Sequence, residues 1–393
     1  MSAPAPLVLS VFATFAIGGP QVRFAALANH HGRAWRHAII AMDGRYHCAE
    51  RLMPGLDITF PEVPASGSVL TNLTVFRRAL RRLVPDVLVT HNWGSIDWVM
   101  ANVAPRRLVP HIHIEDGFGP EEATTQLRRR VLARRLLLRR STVVLPSLTL
   151  TRIATEIWRL PPARLHHIPN GLDLNHFRPA AEPQVRAGPG GEAPPLIGTV
   201  TALRAEKNLP RLLRAARLLR DEGTPFRLAI VGDGPERRTL EALTAELGLA
   251  DRVTFEGARD DPAQTYRALD IFALSSDTEQ MPLSVLEAMA SGLPVAATVV
   301  GDVPKMLAEE NRPYLAEKDD AALAAALRPL LRDAGLRQNI GAANRLKAER
   351  DYDAQVMFRR YHDLLGKQFS GTRWRCSSRD ASGQDGSLSP PAG

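Results

Sequence analysis

The sequence predicts an α/β protein of two doubly wound domains, each a parallel sheet covered by helices on both faces, with the two sheets facing one another across a cleft. Three observations predict it. At 393 residues the chain is too long for one ordinary core and comfortable for two of about 150–200 residues each. Short apolar runs alternate with helical stretches in both halves. Between the halves, the stretch from Ala180 to Pro195 is too rich in Pro and Gly to form a packed element and reads as a linker.

In the front half, Leu7–Phe12, Ala38–Ala41, Val87–Thr90, His111–Ile114 and Thr142–Leu145 are short and apolar enough for buried strands. Helical stretches near 20–31, 70–83, 95–103, 121–140 and 148–158 separate them. After the linker the pattern restarts, with strands at 196–200, 226–234 (including its turn), 252–257, 270–276 and 293–298 and helices at 208–221, 236–247 and 283–291. Helices near 320–333 and 336–348 follow. The expected units are a front domain over 1–185, a linker over 186–195 and a back domain over 196–350. A C-terminal helix within 351–369 is expected to cross back to the front domain, and the polar tail 370–393 to be disordered.

Composition narrows the function. With 45% hydrophobic and 23% charged residues the chain is a globular protein. Its two cysteines, Cys48 and Cys376, lie too far apart in sequence and too few in number for a disulfide scaffold or a thiolate zinc cluster, which implies a reducing compartment. There is no run of about 20 apolar residues. The apolar stretch Leu7–Gly19 has no basic residue before it, the first being Arg23, and so reads as a strand with its loop rather than a signal peptide. These features argue for the cytoplasm.

Charge is unevenly placed. Residues 1–185 carry 22 Arg, no Lys and 13 acidic residues, and residues 186–393 carry 28 basic and 29 acidic ones. A basic front half calls for an anionic partner. Nucleic acid is set aside, because no recognition motif is present and aromatics are only 6%. A phosphorylated substrate or an acidic membrane remains.

The strongest chemical signal is SSDTEQMPLSVLEAMASGLPV at 275–295. Glu279 precedes a Met281-Pro282 turn and Glu287 lies one turn inside the helix that follows. Pro282 suits the first helical position, and the free amides of that helix start attract an anion. The bare pattern leaves two readings open: carboxylates that accept sugar hydroxyls, or a capping residue and a solvated helix residue.

A second signal is LVPHIHIEDGFGPEE at 108–122, where alternation puts His111, His113 and Glu115 on one side of a strand end, next to Asp116. Alone it fits either a His-x-His metal site or a structural histidine pair. His91, in VTHNWGS, ends another strand that should face the same cleft.

Several segments in order resemble glycosyltransferase family 4, the retaining glycosyltransferases of GT-B fold. The 275–295 block resembles the family's Glu-x7-Glu signature, including the trailing Glu-Ala-Met-Ala and Gly-Leu-Pro-Val. Gly18-Gly19-Pro20 is similar to its N-terminal glycine loop and IPNGLDLNHF (168–177) to its Pro-Asn-Gly element. TALRAEKN (201–208) is similar to its diphosphate clamp, and VGDGPER (231–237) to its next glycine turn. The matches span roughly 7–366.

The resemblance implies retaining transfer of a sugar from a nucleotide-diphosphate donor to a glycan or a polyprenyl-diphosphate-linked acceptor, in cell-surface or exopolysaccharide synthesis. Arg204 and Lys207 would hold the donor diphosphate. Glu287 would hold the ribose, and Glu279 with the backbone of Met281, Pro282 and Leu283 the donor sugar. Gly232 and Gly234 would admit the donor closely, and the backbone at Arg259 would grip the base. Gly18 and Gly19 would form the acceptor-side phosphate loop. His113 would orient the sugar near the reacting carbon, making His113 and Glu279 the catalytic pair, with His91, Glu115 and Asp116 as further cleft groups. The Glu-Asp-Gly-Phe-Gly after His113 departs from the commonest family versions and points to a distinct acceptor. No cofactor and no metal are expected, since a cationic clamp already answers the charge of the leaving diphosphate.

Two other classes compete: a sugar-nucleotide epimerase or phosphorylase on the same fold, and a catalytically silent sugar-nucleotide-binding protein. Asp351-Tyr352-Asp353 has the spelling of a metal motif but opens a late helix and reads as a cap. Finally, 126–141 carries seven Arg and no acid, and Arg77, Arg78, Arg81 and Arg82 form a second cluster. Both predict electrostatic docking of the front domain on the anionic inner face of the cell membrane. Arg134 falls on the apolar face of that helix and so argues against its insertion.

Overall fold

The computed structural model describes residues 4–64, 68–122, 125–180, 187–188 and 191–369. The front half forms β1 (Leu7–Phe12), α1 (Gly19–His31), β2 (Arg36–Ala41), β3 (Ile58–Thr59), α2 (Val69–Leu83), β4 (Val87–His91), α3 (Ile96–Val103), β5 (His111–Ile114), α4 (Arg128–Leu137), β6 (Thr142–Leu145), α5 (Leu148–Glu156) and β7 (Leu165–His167). Its seven strands are all parallel in the order β3-β2-β1-β4-β5-β6-β7. The central strands are buried on both faces because helices cover both.

A two-residue pair, β8 (Ala187–Gly188) with β9 (Gly191–Glu192), lies in the Pro/Gly stretch where the sequence suggested no element. The back half then forms β10 (Leu196–Val200), α6 (Leu209–Asp221), β11 (Arg227–Val231), α7 (Arg237–Glu246), β12 (Val253–Gly257), α8 (Ala263–Ala268), β13 (Ile271–Leu274), α9 (Leu283–Ala290), β14 (Val295–Thr298), α10 (Val303–Met306), β15 (Leu315–Ala316), α11 (Asp320–Arg332), α12 (Ala334–Asp351) and α13 (Ala354–Phe369). Its parallel sheet runs β12-β11-β10-β13-β14-β15. The fold is therefore a GT-B-type pair of Rossmann-like sheets with a cleft between them. Sequence reading missed β3, β7 and β15, which are only two or three residues long and lie at sheet edges.

Strand order reverses between β1 and β4 in one sheet and between β10 and β13 in the other. At such reversals the loops leaving the strand ends splay apart and leave a crevice. The motif loops after β1, β10 and β13 leave at these points, and the one after β11 leaves from the strand next to β10.

The chain crosses between the sheets twice, side by side. Leu172 N–H donates to the Tyr352 carbonyl at 2.9 Å and Ala354 N–H to the Leu172 carbonyl at 3.0 Å. Gly171 is needed there, since a Cβ would sit 2.7 Å from Ala354 Cα. Past this crossing α13 lays Met357, Phe358, Tyr361, Leu364 and Phe369 on the first sheet, against Val8, Val89, Ile112 and Val144. The predicted disorder of 370–393 lies outside the described residues.

One helix is shorter than the sequence suggested. The stretch expected at 121–140 is α-helical only over Arg128–Leu137. Ahead of it Glu122 turns inward, where its carboxylate takes Arg134 at 3.0 Å and the Leu127 N–H at 3.1 Å. Continuing the helix back to residue 121 would break that pairing.

Candidate active site

The two sheets enclose a cleft of about 1500 Å³. Two helix N-termini approach each other inside it. α1 starts at Gly18–Gly19 on the first domain and α9 at Pro282–Leu283 on the second; a Cβ on Gly19 would stand 3.4 Å from Leu283 Cδ1. Their unpaired N–H groups and helix dipoles make this the electropositive centre of the cleft.

Below α9, Lys207 Nζ donates to Glu279 Oε1 at 2.6 Å, and Ser276 Oγ donates to the same oxygen at 2.8 Å. Both side chains line the cleft. Arg204 does not: it is exposed and stands outside the lining, so of the expected clamp only Lys207 points inward. Arg204 sits at the extended start of the 3₁₀ turn Ala205–Lys207, whereas Lys207 at its end is held by Glu279.

Glu287 lines the cleft one turn into α9, where it accepts a 2.6 Å hydrogen bond from the buried Tyr266 hydroxyl. Burial raises its pKa above the ordinary carboxylate range, and the tyrosine bond only partly offsets this. Gly232 lines the cleft at φ +139°, packed on the Thr201 carbonyl where no side chain fits. Gly234 is not in the lining; it packs against the backbone of Leu203. Met281, Pro282, Leu283 and Arg259 all line the cleft.

The first domain contributes a cluster that sequence reading did not assign. Arg23, one turn into α1 and almost wholly buried, makes two bonds to Asp116 at 2.5 and 3.0 Å and one to Asn170 Oδ1 at 2.7 Å. Asn170 Nδ2 in turn donates to the Met281 carbonyl at 3.3 Å. Burial opposes the Arg23 charge, but Asp116 more than compensates and raises its pKa. Asn170 sits in the quoted Pro-Asn-Gly element; Arg23 had no signal beyond its place one turn after Gly19. Arg51 also reaches across, donating to the Asp260 carbonyl at 2.7 Å.

Of the strand-end groups, only Asp116 lines the cleft. His91, His113 and Glu115, expected there, are buried beneath it. His113 Nδ1 and His111 Nε2 share Thr90 Oγ1 at 2.8 Å each, and His111 Nδ1 bonds Ser141 Oγ at 2.7 Å. Glu115 takes Arg134 Nε at 3.2 Å. His91 stacks on Phe12 with ring centroids 3.9 Å apart, and burial drives its pKa well below the usual histidine value. Alternation places His111, His113 and Glu115 on one side as expected, but that side faces the core under α4. These histidines are enclosed in the core, and among the described residues no cluster of His, Cys, Asp and Glu suits a metal. Asp351 pairs with Lys347 at 2.8 Å and Asp353 accepts the Gln355 N–H at 2.8 Å, as a cap does.

Comparisons with known proteins agree with this geometry. Residues 18–171 match the glycosyl transferase 4-like domain and 183–347 the glycosyl transferases group 1. The chain is 31% identical over 211 residues to sulfoquinovosyl transferase SQD2 of Arabidopsis thaliana, covering 52% of this chain and 39% of that one. It is 29% identical over 330 residues to D-inositol 3-phosphate glycosyltransferase of Stackebrandtia nassauensis, covering 74% and 73%. The structure superposes on Anabaena HepE in complex with UDP and glucose with a TM-score of 0.75 at 18% identity, over 92% of this chain and 100% of that one. The SQD2 match thus spans well under half of that relative's length.

Proposed function

The chain belongs to the GT4-like glycosyltransferases of GT-B fold, and from that premise we propose that it transfers a sugar, with retention, from a nucleotide-diphosphate donor to a glycan or polyprenyl-diphosphate-linked acceptor. The observation that carries the reading is the Glu279–Lys207 pair at 2.6 Å beside the open N-terminus of α9. As the glycosidic bond breaks, negative charge gathers on the departing diphosphate. The α9 amides and Lys207, which exchanges Glu279 for the diphosphate, receive it. Glu279, released from Lys207 by the arriving diphosphate, accepts donor-sugar hydroxyls. Glu287, oriented by Tyr266, holds the ribose, and the loop around Arg259 holds the base.

Bond changes balance without a protein nucleophile. The bond from the sugar C1 to the phosphate oxygen breaks, the acceptor oxygen bonds C1 on the same face, and the acceptor proton passes to the departing phosphate oxygen. Asp116, rather than His113, is the strand-end group offered to the substrates. Arg23 fixes its carboxylate, and Asn170 ties that pair to the Met281 carbonyl of the donor loop.

The basic front face is the proposed membrane contact. Arg134 is buried and Arg130 is paired with Glu121 and Glu122, which leaves Arg128, Arg129, Arg135, Arg139 and Arg140 exposed. Because Arg134 turns inward, the outer face of α4 interleaves these arginines with exposed Leu132 and Leu136. Arg77 binds the Arg106 carbonyl and Arg107 the Arg140 carbonyl, so the two clusters read from sequence join into one surface. Among the described residues, no helix is long and apolar enough to cross a membrane.

The test is a panel of nucleotide sugars followed by thermal shift, then donor hydrolysis and transfer in excess chelator. A bound donor stabilises by about 2.7 kcal/mol at a hundredfold excess over Kd. Binding with turnover to nucleoside diphosphate and an α-linked product from an α-donor supports the reading. Binding without turnover makes the chain a silent binder, and a free epimerised sugar makes it an epimerase.

A further inference from the structure

A second concavity of about 670 Å³ lies between α4, α5 and the loop of the second domain at Thr278–Gln280. Phe118, Val131, Leu132, Ile153 and Ile157 give it apolar walls. Two of these, Leu132 at 56% and Ile157 at 46%, remain open to solvent. Leaving such side chains in water forgoes the free energy of burying them, so a site that keeps them exposed suits an apolar occupant.

The groove is also cationic. Arg128 and Arg135 line it, both are exposed, and among the described residues neither guanidinium has an ion-pair partner. The one carboxylate in its wall among the described residues, Glu122, is already taken. Burial works against its charge, but Arg134 and Arg130, together with the Leu127 N–H, hold its pKa below the ordinary range. Apolar walls beside two free planar donor forks complement an aliphatic chain that ends in phosphate.

The groove adjoins the donor cleft. Gln280 lines both, and the preceding residue is Glu279. Ser147 at the start of α5 donates to Gln280 Oε1 at 3.4 Å, which fixes that side chain between the two spaces. An occupant with its phosphate at Arg128 and Arg135 therefore lies within reach of the sugar-holding loop.

We propose that this groove binds the lipid-phosphate portion of an amphiphilic acceptor and feeds its reacting end past Gln280 into the donor cleft. Binding of an aliphatic phosphate stands on the groove alone. Its role as acceptor site rests on the glycosyltransferase reading above.

The experiment uses the full chain and calorimetric titration with decyl phosphate below its micelle concentration, inorganic phosphate and decanol. Decyl phosphate should bind at least about tenfold more tightly than either of the other two, since only it meets both walls and arginines. Arg128→Ala/Arg135→Ala should lower its affinity to that of decanol, and Leu132→Gln/Ile157→Gln to that of inorganic phosphate. All four positions are solvent-accessible, so the variants should fold, and far-ultraviolet circular dichroism checks this. Arg152→Ala, exposed on α5 outside the groove, should bind as wild type does. Equal affinity for inorganic phosphate overturns the proposal, as does decyl phosphate binding that survives both double variants. Binding to phosphatidylglycerol vesicles without binding of decyl phosphate also overturns it and leaves a surface contact only. Donor hydrolysis by the unaltered chain is read separately: hydrolysis without decyl phosphate binding removes the groove alone, and decyl phosphate binding without any donor turnover removes its acceptor role.

Discussion

Replacing Arg134 by methionine removes the cation at the centre of a fully buried network. Its guanidinium donates to Glu115 at 3.2 Å and to both oxygens of Glu122 at 3.1 and 3.0 Å. It lies over the rings of Trp93, Phe118 and Trp158, 5.0, 5.3 and 5.0 Å from their centroids. Methionine keeps much of the volume but leaves Glu115, among the described residues, with only His113 at 3.4 Å, in a site with no solvent exposure. Breaking such a pair from one side costs about 3–5 kcal/mol, because the surviving carboxylate stays buried and uncompensated. That is a large share of the total for a domain with a stability of about 5–15 kcal/mol. Glu122 keeps Arg130 at 3.2 Å, so the lower half of the range is the better figure. Urea unfolding at neutral pH, followed by circular dichroism and tryptophan fluorescence, should show a lower midpoint with an unchanged slope. Arg129→Met, on the exposed face of the same helix, should stay within about 0.5 kcal/mol of wild type. Converting the whole network together, Arg134→Met with Glu115→Gln and Glu122→Gln, should recover at least half of the loss. A single Arg134→Met within about 1 kcal/mol of wild type would show that the network is not what holds α4 against β5.

Four further outcomes are expected. Lys207→Ala should lower kcat by about 10²–10³-fold with little change in melting temperature, whereas Arg204→Ala, outside the cleft lining, should cost less than about tenfold; equal losses would mean that Arg204 swings in when donor binds. Tyr266→Phe and Glu287→Gln should raise the KM for donor more than they lower kcat, and as pH is lowered donor affinity should start to fall while still above the usual carboxylate range, because burial raises the pKa of Glu287 and it protonates early. His113→Ala should lower stability by about 1–3 kcal/mol while the folded enzyme keeps turnover within a few-fold, the loss of a buried hydrogen-bond partner rather than of a catalytic group; a hundredfold drop in kcat at normal stability would restore it to the active site. Burial takes His31 down to about 3 and His37 to about 4, so each folds neutral. Their contribution is complete above the unfolded histidine pKa near 6.5 and is lost as pH falls through it toward 3–4, at up to about 1.4 kcal/mol per pH unit for each residue; a flat urea midpoint between pH 7 and 5 would contradict this.

Much of this protein is local and so was legible in the residues. The buried parallel strands show as apolar runs, the doubly wound alternation as spacing, and the Glu-x7-Glu loop as a turn feeding a helix. These depend on neighbours in sequence, and the structure places Glu279, Lys207 and Glu287 in one cleft at the strand-order reversals. What the sequence could not decide was direction. His111, His113 and Glu115 do share one side of β5, but which side faces water depends on where α4 packs, and α4 packs over them. Arg134 looks like one more surface arginine until Glu115, Glu122 and three aromatic rings, drawn from separate elements, close around it. For the same reason Arg23, Asn170 and Asp116 were invisible as a unit: they come from three segments spread over almost 150 residues. Only the packing of α1, the strand end and the interdomain crossing brings their charges within hydrogen-bond reach, where burial makes each depend on the others.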